Sequence, residues 1–216
     1  EGPPGRCHLL GLGFRPDDPT LRATLERLSA ARRERNAKMV ARLNALGVAL
    51  TLDEIAAHAP PGANVGRPHF AAALVARGFV RDTDAAFRKY LADGGPAYVG
   101  RESLTPAEAI ALVRGAGGLC FLAHPTLVRL AAHETLEGRV RALAAAGLDG
   151  IEAYYSGHTP AQEAKLLRLA QRLGLEVTGG SDYHGAHKPG LRLGAVRDGG
   201  GLEGTLLPER LRERAR

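Results

Sequence analysis

Three short segments of this chain end in side chains that can bind a metal or move a proton. "LCFLAHP" closes on His124, "IEAYYSGH" on Ser156 and His158, and "VTGGSDYH" on Asp182 and His184. Each follows or contains an apolar run. In the last, acid and imidazole stand two residues apart, and on an extended backbone such residues point the same way. A carboxylate and an imidazole facing one cavity suit Zn²⁺, Mn²⁺ or Fe²⁺. Each group also has a plainer reading. His124 before Pro125 caps a strand, and Asp182 holds the "GGSD" turn by an Asx-type bond. Recurrence at three successive strand ends favours the metal site. His58, His133 and His187 lie in polar or loop-like surroundings and read as surface residues.

Strand ends share a cavity when the strands run parallel, and parallel strands need helical crossovers. Residues from about 104 to 185 show that rhythm. "LTPAEAIALVRGAGG" reads as a helix with Thr105 as cap, Pro106 at its first position and Glu108 reaching back. "LCFLAHP" is a strand, "LEGRVRALAAAGLDG" a helix and "IEAYYS" a strand. "HTPAQEAKLLRLAQRLGLE" is a second capped helix, leading into "VTGGSDYH". Active sites in such folds gather at the carboxyl ends of the strands.

The preceding part differs. "RCHLLGLGF", residues 6–14, reads as a short buried strand. Residues 20 to about 95 read as helical throughout, with a long helix over the apolar spacing from Leu21 to Leu46 and a stop at Gly47. "TLDE" at 51–54 is a capping box, and "GRPHFAAALVARGF" and "TDAAFRKYLADGG" each hold a further helix. The expected division is an α/β body over 1–19 and 100–197, a helical insertion over 20–99, and a tail over 198–216 whose "PERLRERAR" reads as a frayed helix.

With 216 residues, 44% of them hydrophobic, the chain can bury one large domain or a domain with an insertion. Such a composition argues against wholesale disorder. The net charge is +6, and only four of the 29 basic residues are lysine. Such a balance suits anionic partners such as phosphates, nucleotides or RNA, and equally an Arg-rich surface imposed by codon usage. Cys7 and Cys120 sit in apolar runs and read as buried thiols of a cytoplasmic protein, since two cysteines build no disulfide framework. No apolar stretch reaches the roughly 20 residues of a membrane span. The opening "EGPPGRCHLLGLGF" has no Met and no signal pattern, and reads as a chain entered in the middle.

"CFLAHP", "GIEAYYSGHTP" and "GGSDYHG", in that order, resemble the PHP-domain phosphoesterases, the polymerase and histidinol phosphatase superfamily. "HLLGLGF" and "VGRPHFAAALVARGFV…AFRKYLADGGPAYV" are similar to one branch with a helical insertion, which includes nucleoside 3′,5′-bisphosphate phosphatases and a 5′→3′ exoribonuclease. The resemblance covers nearly everything up to about residue 195. It implies a distorted, TIM-like barrel of seven βα units with up to three metal ions at the strand C-termini. It also implies His8, His124, Asp182 and His184 as ligands, most naturally of Mn²⁺, with Zn²⁺, Fe²⁺ or Mg²⁺ as alternatives. Family members begin with a His-x-His strand, an Asp, a "TDHD"-like histidine and a "GVE" glutamate. None of these occurs here, so four of about nine implied ligands are present, and impaired activity of the chain as it stands is expected.

The insertion supplies the substrate side. Arg32, Arg35 and Asn36 share a helical face by their spacing, and Arg67 and His69 lie beside a helix N-terminus. Arg35, Asn36, Arg67 and His69, with His158 of the strand end, are the expected substrate groups; Arg101 and Lys188 are weaker candidates. A solvated basic face is the plainer reading. The expected function is phosphate-ester hydrolysis on nucleotides or the 5′ ends of short RNA, with no obligate protein partner. The rivals are a catalytically impaired domain that binds nucleotide or RNA, and an amidohydrolase-like barrel.

Overall fold

A computed structural model describes residues 6–183 and 190–196, with Pro208 and Arg210. The chain forms two compact units, one of residues up to Leu21 and from Leu104 onward, the other Arg22–Ser103.

The first unit holds a four-stranded sheet in the order β1 (Leu9–Leu12), β2 (Leu119–Leu122), β3 (Gly150–Tyr155), β4 (Glu176–Gly180). β2, β3 and β4 are parallel, as the alternation of strands and helices predicts. β2 is buried along its whole length, and β3 nearly so, which is why both read as continuous apolar runs. β1 departs from expectation. It spans four residues, Leu10 is exposed, and it pairs antiparallel with β2, Leu9 facing Leu122. Among the described residues the sheet is therefore mixed, and a closed seven-unit barrel is not formed by these four strands.

α5 (Pro106–Gly115) leads into β2, and α6 (Leu136–Ala145) and α7 (Pro160–Leu173) are the crossovers between the parallel strands. Thr105 and Thr159 close capping boxes at α5 and α7, each with Pro inside the first turn. α7 ends where Gly174 takes a left-handed backbone, φ 63°. Ile110, Cys120, Leu122, Val140, Ile151 and Leu166 interlock between sheet and helices. At the lower end of β3, Asp149 receives Arg114 and Arg210. Most of the expected tail helix lies outside the described residues.

The second unit is helical. α1 (Pro19–Ala45) begins in the first unit, with Asp18 accepting the Leu21 N–H, and runs into the second with no glycine and no proline after Pro19 in its 27 residues. α2 (Leu52–Ala56) has the predicted Thr51 capping box, and α3 (Arg67–Ala76) follows. The next predicted helix is broken in two. α4 (Thr83–Ala86) gives way to a π-helical turn, Phe87–Leu91, in which the Ala92 N–H reaches Phe87. Met39, Leu43, Leu50, Ile55, Phe70, Leu74 and Leu91 form the core of this unit. No helix among the described residues is long and apolar enough to cross a membrane.

Candidate functional site

The antiparallel pairing of β1 explains how a residue near the chain's start meets the first of the three apolar strand ends. His8 stands just before β1, so antiparallel pairing brings it to the carboxyl end of β2, where the Ala123 N–H donates to the His8 carbonyl at 3.0 Å. The two imidazoles then meet edge to face, His8 Nδ1 lying 3.1 Å from His124 Nε2. Two imidazole nitrogens bound at right angles to one ion at about 2.1 Å would lie about 3 Å apart. In the structure that separation is a hydrogen bond between the two rings, and it is also short enough for both nitrogens to share one ion. Among the described residues no group of three or more His, Cys, Asp or Glu gathers at ligand distance, and His184 lies outside those residues.

His124 and Asp182 are the non-glycine residues with positive φ among those described, at 29° and 53°. Such backbone persists only where the surroundings enforce it, and it concentrates at functional sites. Both follow the carboxyl ends of parallel strands, β2 and β4, with β3 between them. β3 ties the two turns together. The Ser156 hydroxyl donates to the Ser181 carbonyl at 3.1 Å, and Glu152 Oε2 accepts the His124 N–H at 2.6 Å. Burial pushes the Glu152 carboxyl above its ordinary range; the His124 N–H lowers it in part, and the charge of Asp182 raises it again.

Glu152 is the residue that sequence reasoning missed. Its signal is an acid inside "GIEAYY", a run otherwise apolar enough for a strand buried on both faces. A carboxylate is rarely taken there without a task.

His158 is enclosed by its own strand rather than open to a substrate. It is 2% exposed, its Nδ1 lies 2.8 Å from the Ala153 carbonyl, and its ring packs on Tyr155 at 5.1 Å. The Nδ1–H therefore donates, and Nε2 is left buried with no hydrogen-bond partner among the described residues. Of the expected surface histidines, His133 is exposed and His58 half-buried; His187 lies outside the described residues, as does Lys188. Cys120 is buried, and that burial, with Asp149 nearby, drives its thiol up to about 12; Cys7 is half-buried.

In the helical unit two of the expected substrate residues are not on a solvated face. Arg35 and Asn36 are buried, at 7% and 5% exposure. Arg35 donates to Met39 Sδ at 3.2 Å, while its Nε has no hydrogen-bond partner among the described residues. Burial lowers its proton affinity most, followed by the charges of Arg67, Arg101 and Arg32. Asn36 donates to the Val65 carbonyl, and its Oδ1 is left buried and unpartnered among the described residues. Arg67 is held more fully. It reaches the Leu91 carbonyl and Asp93 and stacks near Phe87 and Tyr98. His69 turns inward, its Nδ1 accepting the Gly66 N–H at 2.9 Å where α3 begins.

No family model matches the chain. Known proteins do. It is 34% identical to the 3′,5′-nucleoside bisphosphate phosphatase of Chromobacterium violaceum over 88% of its own length and 67% of that protein's. It is 31% identical to a 5′-3′ exoribonuclease of Haemophilus influenzae, covering 82% of this chain and 64% of that one. The chain thus spans about two thirds of the length of these curated relatives. Among solved structures, a protein of Bifidobacterium adolescentis described as a metal-dependent phosphoesterase superposes with a TM-score of 0.72 at 35% identity, covering 89% of this chain and 68% of that one. A Chromobacterium violaceum structure described as an amidohydrolase, with bound sulfate and no metal, gives 0.73 at 34%, covering 89% and 66%. At this level of identity and coverage the chain belongs to the PHP-type phosphoesterases, the metal-dependent hydrolases of phosphate esters.

Proposed function

We propose that the protein removes phosphate from small nucleotides that carry a second phosphate, nucleoside 3′,5′-bisphosphates first, and that the 5′ ends of short RNA are its other substrate class. The observation that carries this reading is Arg35. A guanidinium buried among Arg32, Arg67 and Arg101, with its Nε unpartnered among the described residues, is a cation without its anion. Burying charge unpaired is costly, and a phosphate oxygen is the natural partner for an arginine. Arg35, with Asn36, Arg67 and His69 around the start of α3, is the proposed holder of a phosphate that is not the one cleaved. The names of the relatives, a bisphosphate phosphatase and exoribonucleases, agree with this substrate class.

His8, His124 and Asp182, together with His184, are the proposed metal ligands, with Mn²⁺ the proposed ion. A divalent ion there would supply a Lewis acid and an activated water for attack on phosphorus. The chain's own part is to hold the imidazoles of His8 and His124 side by side and to fix the Asp182 turn against β3. The seven-unit barrel implied by the family belongs to the same proposal, as does a cytoplasmic setting, which the two unpaired cysteines support. The description of one similar structure as an amidohydrolase would suggest cleavage of a C–N bond. A buried arginine whose Nε has no partner among the described residues favours the phosphate ester.

The test compares kcat/KM on a nucleoside 3′,5′-bisphosphate and on p-nitrophenyl phosphate, with Mn²⁺, for wild type and Arg35→Met. Losing one charge-assisted contact to a remote phosphate should cost about 1.5–3 kcal/mol, roughly 10- to 150-fold, on the bisphosphate alone. Equal losses on both substrates would remove the insertion from substrate selection.

A further inference from the structure

Two carboxylates of the β3 segment grip the two ends of β2. At one end Asp149 Oδ2 accepts the Cys120 N–H at 2.8 Å, and Arg114 and Arg210 neutralise Asp149. At the other end Glu152 Oε2 accepts the His124 N–H at 2.6 Å. What acts on the Glu152 carboxyl is its burial, that N–H and the charge of Asp182, with no cation among them. Glu152 is 4% exposed, so water does not substitute for one. Its second oxygen faces the other turn. A methyl group added at Gly180 would lie 2.7 Å from Glu152 Oε1, and no other atom would crowd it below 3.4 Å. Gly180 closes β4 and leads through Ser181 into Asp182. One side chain thus touches the backbone of both turns whose left-handed residues, His124 and Asp182, carry proposed ligands.

We infer that Glu152 is a positioning residue of the metal site. One oxygen holds the amide of His124 in its left-handed conformation. The other occupies the space left by the missing side chain of Gly180, and so sets the spacing between the His124 and Asp182 turns. Groups that orient metal ligands from behind act through geometry, and losing them typically weakens metal binding about 10- to 100-fold. The role rests on the metal site proposed above.

Three variants separate this role from general stability. Glu152→Ala removes both contacts. Glu152→Gln keeps the shape and an acceptor oxygen. Gly180→Ala leaves Glu152 in the chain but drives Oε1 aside, since the far end of that side chain is what must move. Two readouts apply to the full chain: Mn²⁺ affinity, from loss of the free-ion EPR signal, and the NMR shift and exchange rate of the His124 amide without metal. Glu152→Ala and Gly180→Ala should each weaken Mn²⁺ binding about 10- to 100-fold and expose the His124 amide to exchange. Glu152→Gln should recover most of both. The double variant should bind no worse than Glu152→Ala alone, because the two changes act through one contact. Asp149→Asn, the control at the opposite end of β2, should lower the melting temperature and leave Mn²⁺ affinity in place.

Unchanged Mn²⁺ affinity in Glu152→Ala and Gly180→Ala, beside normal wild-type binding, overturns the inference. So does an equal loss in Asp149→Asn, which would make the effect one of stability. A wild-type chain that takes up no Mn²⁺ while its His124 amide still responds to Glu152→Ala would end the metal reading itself, and this role with it. Should Glu152→Ala fail to fold, Gly180→Ala and Glu152→Gln decide the matter.

Discussion

At the scale of single residues, Glu152 is held as the acid more readily in the folded chain than in the unfolded one. Burial raises its pKa first, and the charge of Asp182 adds to the rise against the His124 N–H. A group that binds its proton more tightly when folded stabilises the fold below its unfolded pKa, about 4.5, and loses that contribution as pH rises through the folded value. Metal-free wild type should therefore lose stability relative to Glu152→Gln as pH climbs from about 4.5 toward neutrality. Paired thermal melts across that range check it, and parallel curves would show that the carboxyl is not raised. His124 and Asp182 were visible in the sequence because histidine before proline and Asp-x-His are conspicuous at strand ends. Glu152 was not, because a lone acid within an apolar strand is conspicuous only once burial on both faces is known.

At the scale of elements, the local signals of helix starts carried through. Thr105, Thr159 and Thr51 cap the helices their spacing predicts, because a side-chain oxygen and a backbone N–H three residues apart settle that geometry without tertiary help. α7 begins beside His158 and buries Leu166, Leu169 and Ala170 against the sheet, so its cap also steadies the end of β3. Thr159→Ala should destabilise the chain by about 1 kcal/mol, within a range of roughly 0.5–2. Urea denaturation measures it, and an unchanged midpoint would show that packing alone holds the first turn. What the elements did not disclose was direction. "HLLGL" reads as a strand whichever way it pairs, and only the ladder shows β1 running antiparallel to β2. That direction is what places His8 against His124. The π-helical turn after α4 was also illegible, since an extra residue per turn leaves no local mark in "AAFRKYL".

At the scale of the whole molecule, each unit contributes a different electrostatic problem. The α/β unit sets His8 against His124 and buries the Glu152 carboxyl between the His124 and Asp182 turns. The helical unit buries Arg35 among other arginines, and its Nε has no hydrogen-bond partner among the described residues. The proposed phosphate ester and divalent metal would answer both. The seven-unit barrel was an expectation of family resemblance and not of pattern, and four strands are what the described residues display. The central claim is that His8 and His124 hold one ion between them, and titration of Mn²⁺ into the chain, followed by the EPR signal of the free ion, tests it most directly. Wild type should take up Mn²⁺, and His8→Ala and His124→Ala should each weaken that uptake by at least about 10-fold, given how few ligands share the ion. Mn²⁺ uptake that is absent in the wild type, or that survives the loss of either histidine unchanged, would contradict it.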